Sequence, residues 1–284
     1  MKRPFQRFIG VDLGGGRGKT TAIAVLRIGV GGAEVIEVAT RSSKLAWTDE
    51  TLVQRLAVSD PHTAIAIDAP LTQPACNRCE RPVCPGMEAC ADPAVVWLRS
   101  EGRALVRSES VQRKTVGGSK TEAAPRPSAT NAQARLAPYT HRATDVVMTY
   151  GRGLLPLSAL GAANGTITAR ANQLRRRLRG AGYELHRNLI EVSPSATVTA
   201  LCGARMARGY KRDADPWRTR ALILEQIADL SFAPQSRMAR EEVLGNDHCF
   251  DAVMSAYTAY LWARDGWDVP DGCFADDGWI AAPP

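Results

Sequence analysis

The chain has 284 residues, of which 45% are hydrophobic and 23% are charged, and its formal net charge is +7. This composition excludes a disordered chain or a fibrous repeat and leaves enough apolar residues for a sizeable core. The first apolar run, residues 8–11, is broken at once by Asp12. It is therefore too short for a signal peptide or a membrane span, and we expect a cytoplasmic protein without a membrane partner.

The first seventy residues predict the element order β-β-β-α-β. Short apolar, β-branched segments between turn residues indicate strands, and a one-sided apolar pattern indicates a helix. The predicted elements are strands at residues 5–12, 20–28 and 35–40, a helix at 49–56 and a strand at 64–67. Asp12 ends the first strand and Asp68 follows the last one. A carboxylate directly after a buried strand needs a partner, so this pair indicates a site.

Residues 10–21 contain Asp12 and a glycine-rich turn, and three interpretations of this motif compete. A nucleotide-binding phosphate loop also ends in Gly-Lys-Thr, but it requires glycine where Leu13 stands and it opens a helix rather than a strand. The phosphate-gripping hairpin of actin-like sugar kinases places Asp-x-Gly at the end of a first strand. The third interpretation is the first acidic residue of a ribonuclease H-type nuclease.

Residues 72–140 are predicted to be an insertion in a single domain spanning residues 1–284. The chain has seven cysteines, an odd number that does not suit a disulfide scaffold, and four lie close together at Cys76, Cys79, Cys84 and Cys90. Four thiols at this spacing favour a tetrahedral zinc site of structural role, with an iron–sulfur cluster as the second choice. Residues 117–138 lack periodicity and are predicted to be a mobile, basic loop.

Three further elements are predicted before the last long helix. Residues 164–180 read as a basic amphipathic helix, and its arginine run includes Arg175, Arg176 and Arg177. Such clusters indicate either a polyanionic partner or a solvated, arginine-rich surface. Residues 189–192 are predicted to form a strand, and Glu191 interrupts its apolar sequence. Glu191 is therefore either a functional residue or a residue of an edge strand that faces solvent. Residues 219–230 are predicted to be helical.

Residues 247–264 predict a strong helix, and the tail after Gly266 is predicted to be irregular. On this helix Asp251 shares a face with Asp247 one turn earlier and with His248 three residues earlier. Two carboxylates at that spacing repel each other unless a cation lies between them. Asp251 also lies among apolar residues, where a charge indicates a functional role.

These motifs resemble the family described as predicted RNase H-like nucleases, domain of unknown function family 429. The resemblance rests on residues 11–15, 67–71, 190–194 and 247–252, and the stretch 139–145 and the pair Tyr210 and Lys211 are also similar. The His-x-x-Asp-Ala helix is similar to the one in Holliday-junction-resolvase-type nuclease domains as well. The resemblance implies an α/β fold with a ribonuclease H-like mixed sheet, a β-β-β-α-β core and flanking helices.

The resemblance also implies a metal-dependent nuclease and assigns its site. Metal ligands would be Asp12, Asp68 or Glu191, and Asp251, with Asp247 a further candidate, while His248 would orient or deprotonate water. Phosphodiester cleavage needs an activated water and a stabilised leaving oxyanion. Mg²⁺ or Mn²⁺ bound by carboxylates supplies both.

Basic residues are expected to hold the phosphates of a nucleic-acid partner. The candidates are Arg142, Lys211, Arg175, Arg176 and Arg177. Two other classes stay open, namely an actin-like ATP-dependent kinase or ATPase and a nucleic-acid-binding module without catalysis. A homo-oligomer is also left open.

Overall fold

The computed structural model describes residues 2–15, 20–57, 60–108, 136–154, 159–160 and 164–284. These residues form an α/β structure in which helices flank a mixed sheet. Most of the predicted loop at residues 117–138 lies outside the described residues, and so does part of the glycine-rich turn, residues 16–19.

The main sheet is built around the first strand. The strands are β1 (Arg7–Asp12), β2 (Ala22–Gly29), β3 (Gly32–Ala39), β4 (Arg41–Ser42), β5 (Leu45–Ala46), β6 (Thr63–Asp68), β7 (Leu189–Val192), β8 (Leu230–Phe232) and β9 (Ile280–Ala281). The main sheet has the order β8-β3-β2-β1-β6-β7-β9, and β4 and β5 pair separately. Strand β2 is antiparallel to β1 and β3, whereas β6 is parallel to β1 and β7 is parallel to β6.

Helices cover both faces of this sheet. They are α1 (Asp49–Leu56), α2 (Pro93–Trp97), α3 (Ala143–Val146), α4 (Gly165–Arg179), α5 (Pro194–Cys202), α6 (Ala204–Arg212), α7 (Pro216–Gln226), α8 (Arg237–Gly245), α9 (Asp247–Asp265) and α10 (Phe274–Asp277). Helices α2 and α3 continue as π-helical turns at Leu98–Gly102 and Val147–Gly151. No helix in the described ranges combines the length and the apolar character that a bilayer crossing requires.

Helix α9 packs directly against β1. The side chain of Asn246 accepts a hydrogen bond from the amide of His248 and caps its start, and Gly266 ends it with a left-handed φ of 69°. A Cβ atom on Gly10 would overlap the backbone of Ala252 and Ala256, so the close approach of helix and strand requires glycine at this position.

The two faces of the sheet carry separate cores, because neighbouring strand residues point to opposite sides. Phe8 and its neighbours on one face pack with α9. Ile9 and Val11 on the other face pack with Leu52 of α1 and Leu174 of α4. Because helices pack on both faces of the sheet, the carboxyl ends of β1 and β6 lie between two layers of helices.

Most of the predicted elements are present with shifts of one to three residues at their ends. The order β-β-β-α-β is confirmed, with the short pair β4 and β5 added before α1, and β1, β2 and β3 pair in antiparallel fashion. Two predictions are wrong. The helix predicted at 219–230 ends at Gln226, because Leu230 starts β8 and pairs in parallel with Ala33 of β3. The tail predicted to be irregular contains α10 and β9, and β9 pairs with β7.

Candidate metal centre

Three aspartates meet at the carboxyl ends of the central strands. Asp12 ends β1 and Asp68 ends β6, and the parallel register places them side by side. Asp251 lies in the second turn of α9, which is held against β1 at Gly10. One carboxylate oxygen of each aspartate lies within 4.8 Å of the other two. Within the described ranges, no other group of three or more His, Cys, Asp or Glu ligand atoms is gathered in this way.

Asp68 is buried without a hydrogen-bond donor. Its exposed fraction is 8%, and no described residue donates a hydrogen bond to its carboxylate. Burial raises its pKa well above the usual value, and the negative charges of Asp251 and Asp12 raise it further. A buried carboxylate in this setting costs free energy unless a cation compensates its charge.

Asp251 is fixed by two donors from α6. The Tyr210 hydroxyl donates to its Oδ1 at 2.9 Å, and the Lys211 ammonium lies 2.5 Å from its Oδ2. Burial raises the pKa of Asp251 to about 6, although Lys211 and Tyr210 oppose the rise. Burial lowers the pKa of Lys211, but Asp251 outweighs this effect and the net shift is upward. Lys211 is therefore a positive charge at the edge of the acidic group.

Asp12 is paired with His248 from the first turn of α9. The His248 Nδ1 lies 2.6 Å from Asp12 Oδ2, and this hydrogen bond raises the pKa of His248. The predicted association of His248 with the acidic residues is therefore present. Its contact is with a carboxylate, so the ring orients Asp12.

The aspartates line a cavity of about 320 Å³ between α4, α5, α6 and α9. Side chains and backbone from the glycine-rich turn and from the starts of α4 and α5 complete its wall. The polar members outside the acidic group and its partners are Thr20, Asn164, Thr166, Ser193 and Ser195. The cavity thus combines negative charge at its floor with hydroxyl and amide groups around it.

The donor set fits a hard divalent cation. Oxygen ligands about 2.1 Å from one Mg²⁺ lie roughly 3 to 4 Å from each other. Carboxylate oxygens already within 4.8 Å of one another need only a small closure to reach that spacing. Asp12, Asp68 and Asp251 are the residues that would hold the ion.

The structure pairs Glu191 with Arg142 in the interior, away from the roles predicted for them. Arg142 is fully buried and its guanidinium forms two hydrogen bonds of 2.7 Å to the Glu191 carboxylate, which also accepts one from the amide of Leu71. Arg142 further pairs with Asp145 at 2.7 Å. Glu191 is therefore occupied by Arg142 and is not one of the gathered ligands. A fully buried guanidinium cannot reach a phosphate group of a bound nucleic acid.

Other predicted residues lie outside the acidic group. Asp247 starts α9 but is not gathered with the three aspartates. Arg175, Arg176 and Arg177 lie in the last turns of α4, whose first turn lines the acidic cavity. Arg177 lies 3.6 Å from Glu50.

The four predicted zinc ligands lie in an exposed stretch, here termed the cysteine segment (residues 76–90). Cys79 and Cys84 are exposed, and Cys76 and Cys90 are half-buried. Burial raises the pKa of Cys76, and the other three thiols add to the rise. Their sulfur atoms are not gathered within 4.8 Å of one another. Zinc or an iron–sulfur cluster at these cysteines stays a prediction.

Several contacts at the site were not predicted from the sequence, although Tyr210 belongs to the stretches that resemble the family. Tyr210 is a hydrogen-bond donor to Asp251, and Arg170 donates to the carbonyl of Gly14 at 2.6 Å and so ties the glycine-rich turn to α4. The spacing Arg142-x-x-Asp145 was a signal for an ion pair, since residues three apart on a helix are neighbours. The other contacts join residues far apart in sequence and have no local signal.

Comparison with curated proteins and with solved structures gave no match. A family model described as "Protein of unknown function (DUF429)" matches residues 10–272. The match covers the acidic group, the cysteine segment and the arginine run that includes Arg175, Arg176 and Arg177. The chain therefore belongs to the DUF429 family.

Proposed function

We propose that this protein is a divalent-metal-dependent nuclease that hydrolyses phosphodiester bonds of nucleic acid. The observation that carries the proposal is the acidic group itself. Asp12, Asp68 and Asp251 converge in an open cavity, and Asp68 has neither a hydrogen bond nor an ion pair within the described part of the chain. Such an arrangement is stabilised by a bound cation.

The topology supports a ribonuclease H-like assignment. That assignment expects a central first strand and a last long helix beside it. Strand β1 lies between β2 and β6, and α9 packs against it. The acidic residues come from the ends of β1 and β6 and from α9, which are the elements that carry the family motifs.

Each residue of the site has a role in the proposed reaction. A bound Mg²⁺ or Mn²⁺ supplies activation of water and stabilisation of the leaving oxyanion. Asp12, Asp68 and Asp251 hold the ion, and His248 fixes the rotamer of Asp12 through its 2.6 Å contact. Lys211 lines the cavity and presents its ammonium to a phosphate oxygen beside Asp251. Tyr210 keeps Asp251 in place.

The first prediction tests metal binding and cleavage together. Asp68→Asn should weaken Mn²⁺ binding at least about tenfold, because it replaces a charged carboxylate ligand by a neutral amide of nearly the same size. Cleavage should fall about a hundredfold or more, since metal stabilisation of the transition state amounts to several kcal/mol. Calorimetric titration with Mn²⁺ and cleavage of labelled single- and double-stranded DNA and RNA measure the two effects.

Asp271→Asn is the matched control, because Asp271 is exposed and lies outside the cavity. It should bind Mn²⁺ and cleave as the unchanged protein does. Cleavage by Asp68→Asn at the unchanged rate, with contaminating nucleases excluded, contradicts the proposal. ATP hydrolysis that is lost in Asp68→Asn, without nucleic-acid cleavage, favours the actin-like alternative. Mn²⁺ and nucleic-acid binding without any turnover favours the inactive module.

A further inference from the structure

A second cavity, of about 540 Å³, is lined by four arginines from two distant segments. Arg175, Arg176 and Arg179 come from the end of α4, and Arg78 comes from the cysteine segment. We term it the arginine cavity. Its wall includes two carboxylates, Glu184 and Asp276.

The charges in this cavity are not balanced within the described chain. Arg78 pairs with Asp277 at 2.9 Å, and Glu184 pairs with Arg187 at 3.2 Å. Arg175, Arg176 and Arg179 have no ion pair or hydrogen bond with any described residue. Burial lowers the pKa of Arg175, and the like charges of its neighbours lower it further. Guanidinium groups held together in this way favour an anionic ligand.

Helix α4 connects the two cavities. Its first turn, at Thr166, lines the acidic cavity, and its last turn, at Arg179, lines the arginine cavity. Thirteen residues at about 1.5 Å each separate these positions by about 20 Å. A single nucleotide cannot span that distance. One strand of a B-form duplex, whose phosphates advance about 3.4 Å along the helix axis per nucleotide, spans it with about six nucleotides.

We infer that the arginine cavity binds the phosphate backbone of a nucleic-acid strand whose scissile bond lies at the acidic group, about six nucleotides away. The inference rests on the proposed function. Guanidinium groups suit phosphate because they donate two parallel hydrogen bonds to it. The sequence assigned this role to Arg175, Arg176 and Arg177. The inference keeps Arg175 and Arg176, adds Arg78 and Arg179, and leaves out Arg177, which lies beside Glu50.

The test compares oligonucleotide lengths. Binding of labelled hairpin duplexes of 4 and 16 base pairs, termed the 4-mer and the 16-mer, is measured with Ca²⁺ in place of Mg²⁺. The double variant Arg176→Ala, Arg179→Ala should bind the 16-mer about tenfold more weakly, and its salt slope should fall by about 1.8, because two phosphate contacts are lost. Binding of the 4-mer should stay unchanged. Arg177→Ala removes the same kind of charge from the same helix and should change 16-mer binding less than twofold.

Failure of this inference and failure of the proposed function have different outcomes. Unchanged 16-mer binding by the double variant overturns the arginine cavity as a strand site, whether or not the protein cleaves. Equal weakening for 4-mer and 16-mer overturns it as well, because that result indicates a general loss of charge. Length-dependent weakening in a protein that never cleaves supports the inference and refutes the nuclease. Thermal unfolding of each variant confirms that it is folded.

Discussion

The acidic group and the cysteine segment are both candidate metal sites, yet they are built in opposite ways. Asp12, Asp68 and Asp251 are positioned by two paired strands and a closely packed helix. The cysteine segment contains one short 3-10 turn, at Ala75–Arg78, and two of its four cysteines are exposed. The fold thus brings ligand oxygens of all three carboxylates within 4.8 Å of one another, whereas no three of the neighbouring thiols meet that spacing.

The start of the cysteine segment is held by the Arg78–Asp277 pair at 2.9 Å and by a hydrogen bond from the amide of Cys76 to the carbonyl of Pro138 at 3.0 Å. Arg99 donates to the carbonyls of Met87 and Glu88 at 2.8 and 2.6 Å, and Arg103 pairs with Glu88 at 2.6 Å. The Arg99 and Arg103 contacts fix the carboxyl-terminal end of the segment. The comparison indicates that a metal bound at the thiols would organise its own site, as metals do in small domains, whereas the acidic site is prepared before binding.

The largest expected effect concerns the buried ion pairs that Arg142 forms with Glu191 and Asp145. Arg142→Met should lower the free energy of unfolding by about 3 to 5 kcal/mol, because Glu191 and Asp145 would stay buried without their counter-ion. Urea unfolding measures this change. Arg187→Met removes an exposed ion pair and should cost less than about 1 kcal/mol. Equal losses for the two variants would show that the buried pairs do not support the fold.

A smaller and local effect is expected at the cysteine segment. The purified protein should contain about one equivalent of zinc or iron, and Cys79→Ser should release it. Trypsin should then cleave after Arg78 severalfold faster, while Mn²⁺ binding at the acidic group stays unchanged. Less than about a tenth of an equivalent of zinc plus iron after anaerobic purification contradicts this prediction.

Cys202→Ser is the matched control for that experiment, since Cys202 is a half-buried cysteine in α5, far along the chain from the segment. It should keep both the metal and the resistance to trypsin. A metal that is lost equally from Cys202→Ser and Cys79→Ser would place the ion elsewhere.

The smallest expected effect concerns pH in the metal-free protein. A carboxyl group whose pKa is raised by folding stabilises the folded state at low pH, and this contribution is lost as the pH rises through the raised pKa. Folding raises the pKa of Asp251 to about 6, and it raises the pKa of Asp68 as well. Asp68→Asn should therefore reduce the loss of stability that occurs as the pH rises above about 4, and it should make the metal-free protein slightly more stable at pH 7.

With Mn²⁺ added, the unchanged protein should become more stable than Asp68→Asn. The ion stabilises the folded protein that binds it, and the variant binds it weakly. Thermal unfolding across the pH range, with and without Mn²⁺, measures both differences. A variant less stable than the unchanged protein in EDTA at pH 7 would show that the three carboxylates do not repel one another.

The parts of the site predicted from sequence are those with a local signal. Asp12 and Asp68 follow short apolar strands, and Asp251 and His248 lie in a strongly periodic helix, so each pattern was visible within a few residues. The partner of Glu191 was not visible, because Arg142 precedes it by 49 residues. A glutamate inside an apolar strand has the same local pattern whether it binds a metal or neutralises a buried arginine.

The lack of a local signal also explains why the helix predicted at 219–230 extends beyond the end of α7 at Gln226. Residues 227–230 have helical composition, and only pairing with β3, almost two hundred residues earlier, makes Leu230 a strand residue. Local propensity is weak compared with such tertiary contacts. Ion pairs, strand partners and cavity walls are therefore the features that the structure adds to the sequence.

Gly10 has no functional group, yet it controls the chemistry proposed for its neighbours. Its missing side chain lets the backbone of α9 touch β1, and this contact sets how far Asp251 lies from Asp12 two residues further along the strand. The size of the ion that the proposed metal site would accept is thus a consequence of how closely the two backbones approach each other. A larger residue at position 10 would select against small ions such as Mg²⁺ before it altered any ligand.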